Sequence, residues 1–335
     1  MDVLILIVSL IVILAGSELF TNALEHLGDR FGLSTGVTGS ILAAVGTALP
    51  EAVVPIVAIA SGGAGGHHTG EAIGVGAILG APLMLSTLAF FLIGVMALAR
   101  RGVRGAIAPE RTGFHRDLHY FIVAFVLAIG ALYVPVEWGR ILIAIVLILI
   151  YPLYIWRTIR ASKKMVESGH ETEASGKLYA AFVRLPNNPA VMSLQLLVAL
   201  ALIIGGAHAF VGGVTAISVE LGISPLFLAL AIVPFATEMP EKMNSLIWIF
   251  RRKDTLAVGN ITGAMVFQSS LLPAIGILGT SWQSSFDVDL AMGITLAAGL
   301  WLIALSRLKK LPALALMLNG AAYAIYFILL LTLGI

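Results

Sequence analysis

The chain has no cysteine and little charge. Without cysteine there are no disulfides, no thiolate metal sites and no cysteine nucleophile. Asp, Glu, Lys and Arg make up 11% of the 335 residues, against about 25% in a soluble domain. That deficit excludes a water-solvated globule. No His-Glu-x-x-His pattern occurs, so an intramembrane metalloenzyme lacks its usual signature. The first residues, Met1-Asp2 and an apolar run, lack the basic region and small-residue cleavage site of a signal peptide and predict a first spanning helix.

What fills the chain is hydrophobic sequence, 59% of it. Runs long enough to span a bilayer fall at about 3–27, 35–60, 71–99, 118–135, 138–157, 191–219, 224–250, 255–280, 288–306 and 312–333. The predicted fold class is all-α, a polytopic membrane protein of about ten helices. The basic residues test that count. Eighteen of the twenty Lys and Arg lie in loops after odd-numbered spans; Arg140 stands alone on the other side and Lys242 is intramembrane. The positive-inside rule then makes the basic loops cytoplasmic and puts both termini outside, in a plasma (inner) membrane.

The chain also repeats itself. A shift of 190 residues lays Gly16–Glu51 on Gly206–Glu241, matching Phe20 with Phe210, Thr47 with Thr237, Pro50 with Pro240 and Glu51 with Glu241. A shift of 183 matches Glu71 with Asp254, and Gly76 and Gly80 with Gly259 and Gly263. A five-helix unit is odd, so its second copy runs through the membrane inverted, a transporter architecture. The expected division is a first repeat at 1–157, a cytoplasmic connecting loop at 158–190 and a second repeat at 191–335.

Two stretches at the centre of the repeat carry the chemistry, Gly46-Thr47-Ala48-Leu49-Pro50-Glu51 and Ala236-Thr237-Glu238-Met239-Pro240-Glu241. A carboxylate at membrane depth is expensive and points to function. Proline lacks an N–H and opens the helix, freeing the carbonyl four residues back. Each threonine stands four residues before its glutamate, on the same helix face. Threonine oxygen, loose carbonyl and carboxylate together make a hard oxygen cage, suited to a cation such as Ca2+. The bland alternatives are a protonated acid in helix packing and threonines bonded to their own helix carbonyls.

At these residues the chain resembles the cation/calcium exchanger superfamily, the sodium/calcium exchangers and their relatives. The resemblance implies alternating-access exchange of Ca2+ against Na+ or H+. It implies Thr47, Glu51, Thr237 and Glu241 as metal ligands, and first and sixth helices that slide against the rest. The Gly-x-x-x-Gly elements would let the third and eighth helices approach the site closely. The chain departs from the sodium-coupled pattern at Ala48 and Glu238, where serine is expected, and at Ala81, Leu85 and Ala264. Those losses bear on sodium coupling more than on divalent binding.

Glu238 and Lys242 stand four apart in the orientation that favours pairing. The lysine is then a tethered cation, and the coupling ion H+; a purely structural ion pair is the alternative. Gln268, Glu18 and its repeat mate His208 complete the ion-coupling candidates, histidine because it titrates near neutral pH. Packing is the competing reading for Glu18 and His208. Asn244, Ser245 and Ser269 line a path or make interhelical contacts, Asn260 neighbours a ligand or caps a helix, and His67-His68 belongs to a glycine-rich outer loop.

The sequence therefore reads as a secondary antiporter for a divalent cation, Ca2+ first and Mn2+ or Mg2+ as alternatives. A passive channel would need a continuous polar stripe, whereas the polar residues here cluster at mid-depth. The reading calls for no cofactor and no enzyme activity. Its partners are inorganic cations and the lipid bilayer, not nucleic acid; a monomer is compatible with it.

Overall fold

A computed structural model describes residues 2–30, 48–62, 67–166 and 178–333. The helices are α1 (Asp2–Arg30), α2 (Leu49–Ser61), α3 (His67–Met84), α4 (Phe90–Arg101), α5 (Arg111–Leu132), α6 (Glu137–Val166), α7 (Pro189–Leu221), α8 (Pro225–Phe250), α9 (Asp254–Gly279), α10 (Phe286–Ser306) and α11 (Ala313–Leu333). A π-helical turn, Leu85–Ala89, joins α3 to α4, so these two form one span. Among the described residues eight helices are long and apolar enough to cross a membrane, and the shorter apolar Leu49–Ser61 and Pro225–Glu238 bring the spans to ten. The protein is an all-α polytopic membrane protein built as two inverted five-helix repeats. α6 leaves Leu142, Ile145, Leu149 and Leu153 exposed, the apolar stripe of a lipid-facing helix.

Local chemistry sets several boundaries. Glu110 caps α5, its carboxylate accepting from the N–H groups of Thr112 and Gly113. That cap starts the helix seven residues before the apolar run predicted to begin at 118. Ser224 caps α8, with Pro225 in the first turn. α4 stops at Gly102, whose φ of 75° suits glycine, with Arg100 and Arg101 in its last turn beside the negative end of the helix dipole.

The chain divides into two compact units. The first comprises Met1–Gly70 and Trp156–Leu221, the second Glu71–Ile155 and Gly222–Ile335. Each takes segments from both sequence repeats.

In the first unit α1 packs against α7 along its length, and α2 packs on α7. Two glycines set the close approach. A Cβ on Gly16 would lie 2.9 Å from Ile203 Cγ1 and 3.1 Å from the Ala199 carbonyl oxygen. A Cβ on Gly206 would lie 2.8 Å from Ile13 Cγ1 and 3.2 Å from the Ser9 carbonyl oxygen. Gly16 and Gly206, Ile13 and Ile203, and Ser9 and Ala199 are all related by the 190-residue shift. A polar clamp closes one end of this pair. Gln195 Nε2 donates to the Leu19 carbonyl at 2.9 Å and to Asn22 Oδ1 at 3.0 Å. The same two side chains accept the N–H groups of Ala180 and Tyr179, both at 2.9 Å, and so seat the 3-10 turn Tyr179–Val183.

In the second unit α5 packs on α9 and α10, and α4 on α11 and α8. Gly76 and Gly80 of α3 bring α8 close: a Cβ on Gly76 would lie 2.8 Å from Ala229 Cβ, and one on Gly80 2.6 Å from Pro234 Cγ. Their repeat mates behave differently, since Gly259 meets no described neighbour and Gly263 only the Tyr154 hydroxyl at 3.6 Å. Asn319 of α11 donates to the Ser86 carbonyl inside the π turn at 2.7 Å. A two-residue ribbon pairs β1 (Ala106–Ile107) antiparallel with β2 (Leu311–Pro312). Beside it Arg101 forks onto Asp254, with Nη1–Oδ2 at 2.8 Å and Nη2–Oδ1 at 2.5 Å, and the Ala108 N–H donates to Asp254 Oδ2 at 2.9 Å.

Candidate cation site

Glu51 lies in the first turn of α2 and is buried, at 6% exposure. Pro50 precedes it at the helix start, where its missing N–H leaves no intrahelical bond unmade. A carboxylate there faces the positive end of the helix dipole. Thr47 lies outside the described residues.

In the second unit Thr237 is buried on α8, and its Oγ1 donates to the Val233 carbonyl at 3.0 Å. This is the back-bonding anticipated as the bland reading. It fixes the proton and leaves the hydroxyl lone pairs available to a cation. Glu241 follows one helical turn later; its side chain, like that of Asn244, lies outside the described residues. α8 is helical across Pro240, from Pro225 to Phe250. The expected break is therefore one missing hydrogen bond to the Ala236 carbonyl, which a continuing helix tolerates when neighbours pack around it.

One group of coupling candidates does come together. Glu238 is fully buried and Lys242 is 2% exposed, with Lys242 Nζ 3.2 Å from Glu238 Oε2. Gln268 reaches across from α9, and its Nε2 donates to Glu238 Oε1. An acid, an ammonium and an amide thus form one buried cluster between α8 and α9. A second bridge joins the same helices, Asn260 Nδ2 donating to Ser245 Oγ at 3.1 Å. Asn260 is therefore an interhelical donor here. Ser269 bonds back to the Val266 carbonyl at 3.2 Å. Ala81 and Leu85, where oxygen ligands were expected, are buried apolar side chains.

Glu18 and His208 are exposed on the first unit, and Glu18 Oε1 accepts from the Tyr179 hydroxyl at 2.8 Å. His68 is exposed, and the side chain of His67 lies outside the described residues. Among the described residues no three His, Cys, Asp or Glu side chains gather as a metal cluster.

Sequence reasoning missed two buried acids, Asp117 and Asp287. Asp117 of α5 accepts from Thr262 Oγ1 at 2.8 Å and from Arg116 Nη2 at 3.0 Å. The apolar run starts one residue after Asp117, at 118, so hydropathy leaves Asp117 outside the span. The available signal was Thr262 itself, a hydroxyl inside the Gly259–Gly263 element of α9.

Comparison with known proteins adds the context. The family model described as sodium/calcium exchanger protein matches residues 1–160 and 192–334. An uncharacterized membrane protein of Methanocaldococcus jannaschii is 24% identical over 279 residues, spanning 81% of this chain and 80% of that protein. The crystal structure of an H+/Ca2+ exchanger, CAX, superposes with a TM-score of 0.69 at 19% identity, covering 99% of this chain and 87% of that one. The sodium-calcium exchanger NCX_Mj superposes with a TM-score of 0.58 at 21% identity, covering 97% of each chain. At these identities the two solved structures speak for the fold.

Proposed function

The chain belongs to the sodium/calcium exchanger protein family, a family of secondary transporters, and from that premise we propose that this cation antiporter exchanges Ca2+ for H+. Na+ is the alternative coupling ion, and Mn2+ or Mg2+ the alternative cargo, because oxygen ligands do not choose among hard divalent ions. Glu51 and Glu241, with Thr47 and Thr237, hold the divalent cation. Glu51 supports this as a buried acid at a helix start, and Glu241 by its place in the repeat. The α1–α7 pair is the moving part of an alternating-access cycle. The basic loops face the cytoplasm of a plasma-membrane protein, and both termini lie outside.

The observation that carries the choice of H+ is the buried Glu238–Lys242–Gln268 cluster. The ammonium already neutralises Glu238, so a metal cation would have to displace it. With Ala48, Ala81, Leu85 and Ala264 offering no side-chain oxygen, Na+ has few ligands left. Protons need no cage. They load onto the same carboxylates that release the divalent cation.

The test is 45Ca2+ uptake into proteoliposomes holding the purified protein, under a pH gradient in one set and a Na+ gradient in another. The expected result is uptake driven by the pH gradient alone, abolished in Glu51→Gln and in Glu241→Gln. Uptake driven only by Na+ would overturn the coupling assignment. Normal flux in either glutamine variant would overturn the ligand assignment, and Mn2+ or Mg2+ flux without Ca2+ flux the cargo.

A further inference from the structure

Away from the cation site, two imidazoles share one face of α5. We propose that His115 and His119 form a bidentate site for an imidazole-preferring transition-metal ion, Zn2+, Ni2+ or Cu2+, near the N-terminal end of that helix. The two residues are one helical turn apart, which stacks their side chains on one face. Their ring centroids are 4.1 Å apart, and both residues are exposed. The rings are inclined at 61°, and centroids this close leave both imidazoles within reach of one ion held by metal–nitrogen bonds of about 2.0–2.1 Å.

The hydrogen bonds fix both rings in the ligating tautomer. His119 Nδ1 lies 2.7 Å from the His115 carbonyl oxygen, which only accepts, so Nδ1 carries the proton. His115 Nδ1 lies 2.9 Å from Ser306 Oγ. Ser306 spends its own proton on the Ile303 carbonyl at 2.7 Å, so it accepts from His115. Each ring therefore presents its Nε2 lone pair while its other nitrogen is anchored, the arrangement that orients metal-bound histidines. Ser306 lies on α10, so an ion held by His115 stiffens the α5–α10 junction. The Arg111 guanidinium, which donates to the Arg307 carbonyl at 3.0 Å, works against a bound cation and keeps the affinity modest. Ca2+ takes oxygen ligands and does not compete. The site is thus a place for a metal other than the cargo to act on the second unit.

The experiment is calorimetric titration of Zn2+ and Ni2+ into the purified chain with any affinity tag removed, in excess Ca2+. Expected is binding that His115→Ala and His119→Ala each abolish, that Ser306→Ala weakens about tenfold, and that His67→Ala/His68→Ala leaves unchanged. Cu2+ electron paramagnetic resonance on the unaltered protein reads two nitrogen ligands without any substitution. Wild-type affinity in His119→Ala, absence of stoichiometric binding, or a copper spectrum without paired nitrogens each overturns the proposal.

Discussion

Replacing Lys242 by Met tests whether the cluster on α8 is held by charge. The two side chains match in length, and methionine is a good helix former, so the variant removes the ammonium with little change of packing. At 3.2 Å and an effective dielectric of about 20, the Lys242–Glu238 attraction is about 5 kcal/mol. Removing one partner of a buried pair costs about 3–5 kcal/mol, because the other charge is left buried and uncompensated. Glu238, fully buried, keeps the Gln268 amide but loses the Lys242 ammonium. The variant therefore unfolds earlier at neutral pH than the wild type. Two additions restore it, because each supplies the missing positive charge: protons as the pH falls, or Na+ entering the space the ammonium leaves. The double variant Glu238→Gln/Lys242→Met is nearly as stable as wild type, since a buried pair replaced by neutral groups of similar size costs little. The assay is chemical unfolding of the detergent-solubilised protein followed by the fluorescence of its five tryptophans, across pH and with Na+ against an equal concentration of an organic cation. A Lys242→Met protein as stable as wild type, with no response to pH or Na+, would refute the reasoning. Rescue by Na+ and not by the organic cation would identify the ammonium as a built-in substitute for a metal ion.

Arg101→Ala breaks the fork onto Asp254 and costs about 3 kcal/mol, read as a double-mutant cycle with Asp254→Asn in unfolding experiments; additive single effects would deny the coupling. Glu110→Ala removes the α5 cap and costs about 1 kcal/mol. Burial raises the Glu110 pKa, but the N–H bonds from Gly113 and Thr112 outweigh it and hold the carboxyl below its ordinary range. Its contribution is therefore complete above the unfolded-state value and is lost as pH falls through the lower folded value, so the variant flattens the acid limb of the stability curve. Gly16→Ala and Gly206→Ala each cost about 1–3 kcal/mol by overpacking α1 against α7. Gly205→Ala and Gly212→Ala, with nothing within 4 Å of the added Cβ, gain about 0.5–1 kcal/mol of helix propensity in thermal unfolding.

The ten spans and their inverted order are legible in the sequence because lipid imposes long apolar runs and leaves the basic residues to the loops. Glu238, Lys242 and Gln268 are legible too, as polar residues in apolar sequence. What pairs with what is less so. The Glu238–Lys242 contact follows from helical spacing, but the reach of Gln268 depends on how α9 lies along α8. Arg101 reads as one more topology-setting arginine, and only the fold brings it to Asp254, 153 positions away. The π turn at Leu85–Ala89 leaves no periodicity signal. His115 escapes because polar residues at the end of a span hide the helix from a hydrophobicity window. The seating of the 178–183 segment on Asn22 and Gln195 escapes because the segment itself looks like linker.

The glycine contacts between α1 and α7 say something about origin. Ile13 fills the notch at Gly206, and Ile203 fills the notch at Gly16. This is the form of an isologous dimer interface, in which residue i meets j and j meets i. Such a surface is complementary to itself and needs only one kind of chain, inserted in both orientations. A half-length protein carrying a single isoleucine and a single glycine at these positions already holds everything this seam requires. Among the described residues the 3-10 clamp sits at one end of the seam alone, the place where the two halves depart from that symmetry.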